Sequence, residues 1–232
     1  MNTNKTIIVT GVSSGLGKAL FDALQGTDAR LVCISRTFLD YQTKRAGENV
    51  VLLTCDLGNL DEVSTLTQTL DERLVDARDV TYIDNAATVA PVGLIGELDE
   101  AAIIAAAHTN FVSPMLITNA LCALKSVARL TLIYVSTGAA RTPFVGWPLY
   151  CSTKAGAKMW YGVLQEQYKD NDRVVVHEFD PGVMDTPMQS HIRQSSERDF
   201  PRVETFKALE KMQKLVDPAR VAQKIIEQYI RI

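Results

Sequence analysis

Ile7-Ile8-Val9, followed by Thr10-Gly11-Val12-Ser13-Ser14-Gly15-Leu16-Gly17, is the stretch that decides the fold. The apolar run reads as a buried strand, the G-x3-G-x-G segment as a turn, and Leu16 to Leu24 as the helix it opens into. Glycines here permit positive φ and close backbone approach, and a helix N-terminus offers unpaired N–H groups to a pyrophosphate. Glycine-rich turns are weak signals by themselves, and a tight strand-to-helix connection without a ligand is the plain alternative.

The same alternation runs through the rest of the chain. Leu31-Val32-Cys33-Ile34, Val50-Val51-Leu52-Leu53, Val80 to Ile83, Leu130 to Val135 and Val174-Val175-Val176 read as strands. Leu60 to Leu74, Ala101 to Leu124, Tyr150 to Tyr168 and Pro218 to Tyr229 read as helices, with Pro114 implying a break or a second helix beginning near it. Continuous apolar strands between helices mean a parallel sheet covered on both faces. The expected fold is therefore a doubly wound, Rossmann-type α/β sheet of six or seven strands in a single domain over residues 1–232. Such sheets bind ligands beyond the carboxyl ends of their strands. Those places are Thr10-Gly11, Ser35-Arg36, Asp56-Leu57, Asn85-Ala86, Ser136 and Pro181-Gly182.

Composition narrows the class. In 232 residues, 24 Lys+Arg stand against 27 Asp+Glu, for a formal net charge of −3, and no basic run suggests a nucleic-acid partner. Hydrophobic residues at 47% and charged residues at 22% exclude disorder and low complexity. Cys33, Cys55, Cys122 and Cys151 have no metal-ligand spacing to each other or to His108, His177 and His191, so no metal is expected and a reduced, cytoplasmic chain fits. The residues Met1 to Thr10 carry no secretory pattern, and no apolar stretch reaches transmembrane length.

Tyr150-Cys151-Ser152-Thr153-Lys154 puts a phenol and an ammonium four residues apart on one helical face. A nearby cation favours the phenolate, which makes tyrosine useful in proton transfer. A surface pair is the default reading of Y-x-x-x-K, but Ser136, fourteen residues upstream at the end of the fifth strand, has its hydroxyl placed to meet that of Tyr150. Cys151 reads as a small filler.

With these motifs in order, the sequence resembles a short-chain dehydrogenase/reductase over nearly its whole length. The family's T-G-x3-G-x-G falls on Thr10 to Gly17, its Y-x3-K on Tyr150 and Lys154, its serine on Ser136, its asparagine on Asn110 and its P-G motif on Pro181 to Thr186. Thr88 to Pro91, Phe144 to Trp147, Tyr150 to Gly156 and Asp185 to Gln189 resemble the sepiapterin reductase-like, benzil-reducing branch. There are two departures. Asp84-Asn85-Ala86-Ala87 stands where the family has N-N-A-G, so a buried Asp84 needs donors or an altered pKa and the Cβ of Ala87 narrows a space normally empty. A helix from Pro218 occupies the end of the chain, where members commonly add a seventh strand.

The resemblance implies reduction of a carbonyl, with Tyr150 giving the proton, Lys154 lowering the Tyr150 pKa and holding the nicotinamide ribose, and Ser136 donating to the carbonyl oxygen. Asn110 would position a relay water, or is a satisfied residue at a helix kink. The dinucleotide would lie against Gly11, Ser13, Ser14, Gly15, Leu16, Gly17, Ser35, Arg36, Asp56, Leu57, Asn85, Ala86, Ala87, Tyr150, Lys154, Pro181, Gly182, Val183 and Thr186. At the end of strand two, Ser35-Arg36 offers donors where an acidic residue would hold a ribose 2′-hydroxyl, so NADPH is expected over NADH, unless Arg36 is a solvated loop charge. Phe144, Trp147 and Met188 either line an apolar substrate pocket or anchor loops. The expected partners are a small carbonyl substrate and further copies of the chain, as a homodimer or homotetramer. A 3-oxoacyl thioester reductase and a non-catalytic dinucleotide-binding regulator are the alternative functions.

Overall fold

The structure, a computed structural model, describes residues 5–230. Met1–Asn4, part of the stretch read for a secretory pattern, and Arg231–Ile232, at the end read for a seventh strand, lie outside the described residues. The strands β1 (Lys5–Thr10), β2 (Arg30–Ser35), β3 (Val50–Thr54), β4 (Asp79–Asp84), β5 (Arg129–Val135) and β6 (Val174–Phe179) form one parallel sheet in the order β3-β2-β1-β4-β5-β6. Among the described residues the sheet has six strands, the lower of the two expected numbers.

Strand alternation sorts the core into two layers. Ile8, Val32, Tyr82 and Leu132 face one side, under α3 (Leu60–Arg73), α5 (Ser113–Ala123) and α6 (Pro148–Gln167). Ile7, Val9, Leu31, Ile83 and Ile133 face the other, under α1 (Gly15–Leu24) and α9 (Pro218–Tyr229). Both layers are built from the apolar interiors of the strands, such as Ile7-Ile8-Val9 of β1 and Leu31-Val32-Cys33-Ile34 of β2. Local chemistry sets the helix starts: the Asn59 side chain accepts from the Asp61 and Glu62 amides ahead of α3, and Asp217 caps α9 with Pro218 in its first turn.

Of the two readings of the stretch from Ala101 to Leu124, a break or a second helix beginning near Pro114, the second holds. The helix α4 (Glu100–Ala107) passes through a π-turn, His108–Val112, into α5. Pro114 sits in the first turn of α5, where the widened turn accommodates its missing N–H and no break follows. From Glu100 to Ala123 this stretch is long and apolar enough to cross a membrane by length and composition, contrary to the expectation from sequence. Here Ile117 and Leu121 pack into the sheet's core and Asn110 is buried, as in a core helix. Short helices that sequence periodicity did not mark complete the fold: α2 (Asp40–Arg45), α7 (Pro187–Arg193) and α8 (Val203–Lys211).

Candidate active site

The order of strands reverses between β1 and β4, and their carboxyl ends open into a cavity of about 860 Å³. Its first wall is backbone. Gly11 and Gly15 take positive φ, and a Cβ on Gly17 would stand 2.0 Å from the Gly11 carbonyl oxygen, so only glycine lets α1 start this close to β1. The Thr10 hydroxyl accepts from the Asn85 and Ala86 amides at 3.0 and 2.9 Å, and the Asn85 side chain donates to the Thr10 carbonyl at 2.8 Å. These bonds lock the ends of β1 and β4 together. Ser14 precedes α1 in extended conformation without capping it, and no acidic side chain lies in the first turn. The uncapped amides of α1 thus face a cavity that Ser13, Ser14, Gly15, Leu16 and Thr186 line, which fits a pyrophosphate.

The other residues read as cofactor contacts also border the cavity: Ser35, Arg36, Asp56, Leu57, Asn85, Ala86, Ala87, Tyr150, Lys154, Pro181, Gly182 and Val183. Gly17 stands behind the turn. Ser35 donates to Ser13 at 3.3 Å, and Arg36 is exposed beside them. Asp56 accepts from the Gly58 amide at 2.9 Å.

Tyr150, Lys154, Asn110 and Ser136 converge near the end of β5, but not in the arrangement the sequence suggested. The Ser136 hydroxyl donates to Glu178 Oε1 at 2.8 Å. Glu178 also pairs with Lys158 and with Arg141, whose other nitrogen holds Asp180 at 2.6 Å. Burial pushes Glu178 up, yet the bonds from Lys158 and Ser136 outweigh it and hold the carboxyl below its ordinary value. The hydroxyl that lowers the Tyr150 phenol pKa is that of Thr137, which also caps the short turn Gly138–Ala140 by accepting from the Ala139 amide at 3.3 Å.

Burial pushes the Tyr150 phenol up to about 12, with the Thr137 hydrogen bond opposing the rise and the Asp180 charge adding to it. Lys154 does not lower it here. Its ammonium lies buried over the Tyr134 ring, 5.0 Å from the centroid, and donates to the Val135 carbonyl at 3.1 Å. Burial lowers the Lys154 pKa, and Asp84 works against the fall.

Asn110 sits in the π-turn and is buried. Its side chain accepts from the Thr88 amide at 2.8 Å and donates to the Thr88 carbonyl at 2.8 Å and the Thr153 hydroxyl at 3.2 Å. It is a clamp between the π-turn, the loop after β4 and α6.

The second wall is aromatic. Trp147 stacks on Phe200 at 4.4 Å and touches Phe144, Tyr150 and Phe206 at 5.3, 5.6 and 5.3 Å between ring centroids. A Cβ on Gly146 would meet the Asp199 carbonyl at 2.1 Å, so the loop carrying Trp147 docks directly on the segment carrying Phe200. Val183, Met188 and Ile192 border the same side of the cavity. Phe144, Trp147 and Met188 are thus both pocket lining and loop anchors. Phe200 and Phe206 were not singled out from sequence.

Other candidates stay outside the site. His108 contacts the Gly58 carbonyl, His177 packs on the Tyr229 ring, and among the described residues no group of acidic, His and Cys side chains could hold a metal. Cys151 is half-buried against the Thr142 carbonyl, and burial raises its thiol pKa.

The sequence model of the family described as short chain dehydrogenase matches residues 5–197. The chain belongs to the short-chain dehydrogenase family. It is 32% identical over 229 residues to benzil reductase ((S)-benzoin forming) of Bacillus cereus, covering 94% of this chain and 91% of that protein. It is 31% identical over 236 residues to sepiapterin reductase of Rattus norvegicus, covering 94% and 88%. Among solved structures, that of the KRED1-Pglu enzyme overlays with a TM-score of 0.81 at 23% identity, covering 98% of this chain and 95% of that one, a likeness of fold. This short-chain dehydrogenase is an NAD(P)-dependent oxidoreductase of the branch that includes these reductases.

Proposed function

We propose that the protein is an NADPH-dependent carbonyl reductase that reduces one carbonyl of an aromatic or alicyclic 1,2-dicarbonyl to the hydroxyketone. The observation that carries this reading is the aromatic wall of Phe144, Trp147 and Phe206 beside Tyr150. It suits a flat, neutral substrate. Arg141, the cation that would recognise a phosphate or carboxylate, is already paired with Glu178 and Asp180. The benzil reductase relative supports the same substrate class, and the sepiapterin reductase relative makes a pterin side-chain dicarbonyl the second choice.

When bound, the reduced nicotinamide supplies a hydride to the carbonyl carbon. Tyr150 gives its proton to the carbonyl oxygen as the C=O bond opens, and a phenol held protonated by burial is in the right state to do so. Thr137, whose hydroxyl acts on the Tyr150 phenol, takes the carbonyl-donor role expected of Ser136, while Ser136 braces Glu178. Lys154, which borders the cavity, holds the nicotinamide ribose and restores the proton to Tyr150, with Asn110 fixing the loop beside it. Arg36, Ser35 and Ser13 meet the 2′-phosphate, where no acidic side chain closes β2. We place the enzyme in the cytoplasm as a homodimer or homotetramer.

NADPH oxidation against a panel of simple ketones and 1,2-dicarbonyls tests the proposal. Turnover of the dicarbonyls supports it; dinucleotide binding without turnover of any carbonyl would leave the regulator.

A further inference from the structure

Asp84 closes β4 where it pairs in register with Tyr134 of β5, so both side chains lie on one face of the sheet. The carboxylate is 2% exposed and accepts from the Tyr161 hydroxyl at 3.1 Å. Tyr161 stacks on Tyr134 at 4.8 Å and 11°, the Tyr134 hydroxyl donates to the Lys154 carbonyl at 3.1 Å, and the Lys154 ammonium lies over the Tyr134 ring. One packed chain of groups therefore joins Asp84 to the lysine of the active site.

We propose that Asp84 is a positioning residue for this reaction: fixed by Tyr161 beneath the mouth of the sheet, its carboxylate is the counter-charge that holds the Lys154 ammonium charged beside the Tyr134 ring. The inference rests on the role given to Lys154 above. The titratable groups around the pair are Tyr82 of β4, Tyr134 of β5 and Tyr161 of α6, with Tyr150 of α6 and Glu178 of β6 beyond Tyr134. Burial pushes all four phenols up, so they are neutral at pH 7, and Glu178 is engaged by Lys158 and Arg141. Asp84 and Lys154 are left as the two opposite charges at the ends of the Tyr161–Tyr134 stack.

A carboxylate kept here for packing alone would be a poor choice, because burial raises its pKa from 3.8 to about 6 despite the opposing pulls of Lys154 and Tyr161. The folded state holds that proton more tightly than the unfolded chain. The ionised carboxylate therefore destabilises the fold above pH 6, and this cost is relieved as pH falls from about 6 toward 4. A group that costs stability in its working state points to function.

The test is Asp84→Asn, which keeps the shape and an acceptor for Tyr161. In the cofactor-free protein the melting temperature should rise by a few degrees at pH 7 to 8 and converge with wild type near pH 4. In steady state, the alkaline limb of the reduction rate should move to lower pH, because Lys154 loses the charge that opposes its burial, with KM for the carbonyl little changed. A lower melting temperature at all pH values, or an unmoved alkaline limb, overturns the proposal. If this variant does not fold, Tyr161→Phe removes the donor to Asp84. The pH at which wild-type stability begins to recover should then move upward, and no movement contradicts the pairing. Failure of the wild type to reduce any carbonyl would reject the functional reading, while the melting curves would still decide the charge pairing.

Discussion

The two walls of the cavity are made in opposite ways. On the dinucleotide side the structure is backbone: glycine turns, an uncapped helix N-terminus and the lock of Thr10 with Asn85 and Ala86. On the substrate side it is side chain: Trp147 from the start of α6 packs on Phe200 and Phe206, more than fifty residues further along the chain. A wall of backbone breaks when an atom is added. A wall of aromatic rings breaks when atoms are taken away. Tyr150 stands at the seam, so it should answer to neither rule but to chemistry.

The largest expected effect is at that seam. Tyr150→Phe should lower kcat by about 10²–10⁴, the range of a general acid, with the dinucleotide dissociation constant nearly unchanged. A variant retaining more than about a tenth of wild-type kcat is incompatible with Tyr150 as the proton donor. At Thr137 and Ser136 the comparison sharpens. Thr137→Val should cost about 10²-fold in kcat, as loss of one donor to the reacting oxygen does, whereas Ser136→Ala should cost less than about tenfold because its hydroxyl is spent on Glu178. The reverse order in the two rates returns the role to Ser136.

Addition and truncation come next. Gly17→Ala places a methyl against the Gly11 carbonyl and should destabilise by about 3 kcal/mol, with a melting temperature and dinucleotide affinity that fall together. Trp147→Ala should destabilise by about as much but leave the residual folded protein's dinucleotide affinity intact while raising KM for the dicarbonyl. If calorimetry finds both affinities lost in both variants, the walls are not separable. The smallest effect belongs to Arg36→Ala, which should reduce the NADPH-over-NADH ratio of kcat/KM by about tenfold, the worth of one charge-assisted contact. An unchanged ratio assigns Arg36 to solvent.

The same contrast separates what is legible in the sequence from what is not. The glycine turn, the six apolar runs and the Tyr150–Lys154 spacing are local, and local patterns survive in a one-dimensional string. Asp84 was legible as a problem and the structure supplies its answer in Tyr161 and a raised pKa. The choice between two adjacent hydroxyls was not local. Ser136 and Thr137 both lie just past the end of β5, and which of them meets the phenol is set by Glu178, the register partner of Tyr134 on β6, which takes the Ser136 hydroxyl. Phe200 and Phe206 had no comparable signal, because they enter the site through long-range packing of α8 and the turn before it on Trp147. The bond from Lys154 to the Val135 carbonyl had no signal in the sequence, because it depends on how α6 packs on β5.

The central claim is that the aromatic wall and the neutralised Arg141 select a compact, uncharged dicarbonyl. It is tested most directly by steady-state kcat/KM with NADPH for benzil and phenyl-propanedione set beside an acetoacetyl thioester at equal concentration. The account predicts faster turnover of both dicarbonyls. Faster turnover of the thioester, with little activity on either dicarbonyl, would contradict it and move the chain to the 3-oxoacyl thioester reductases.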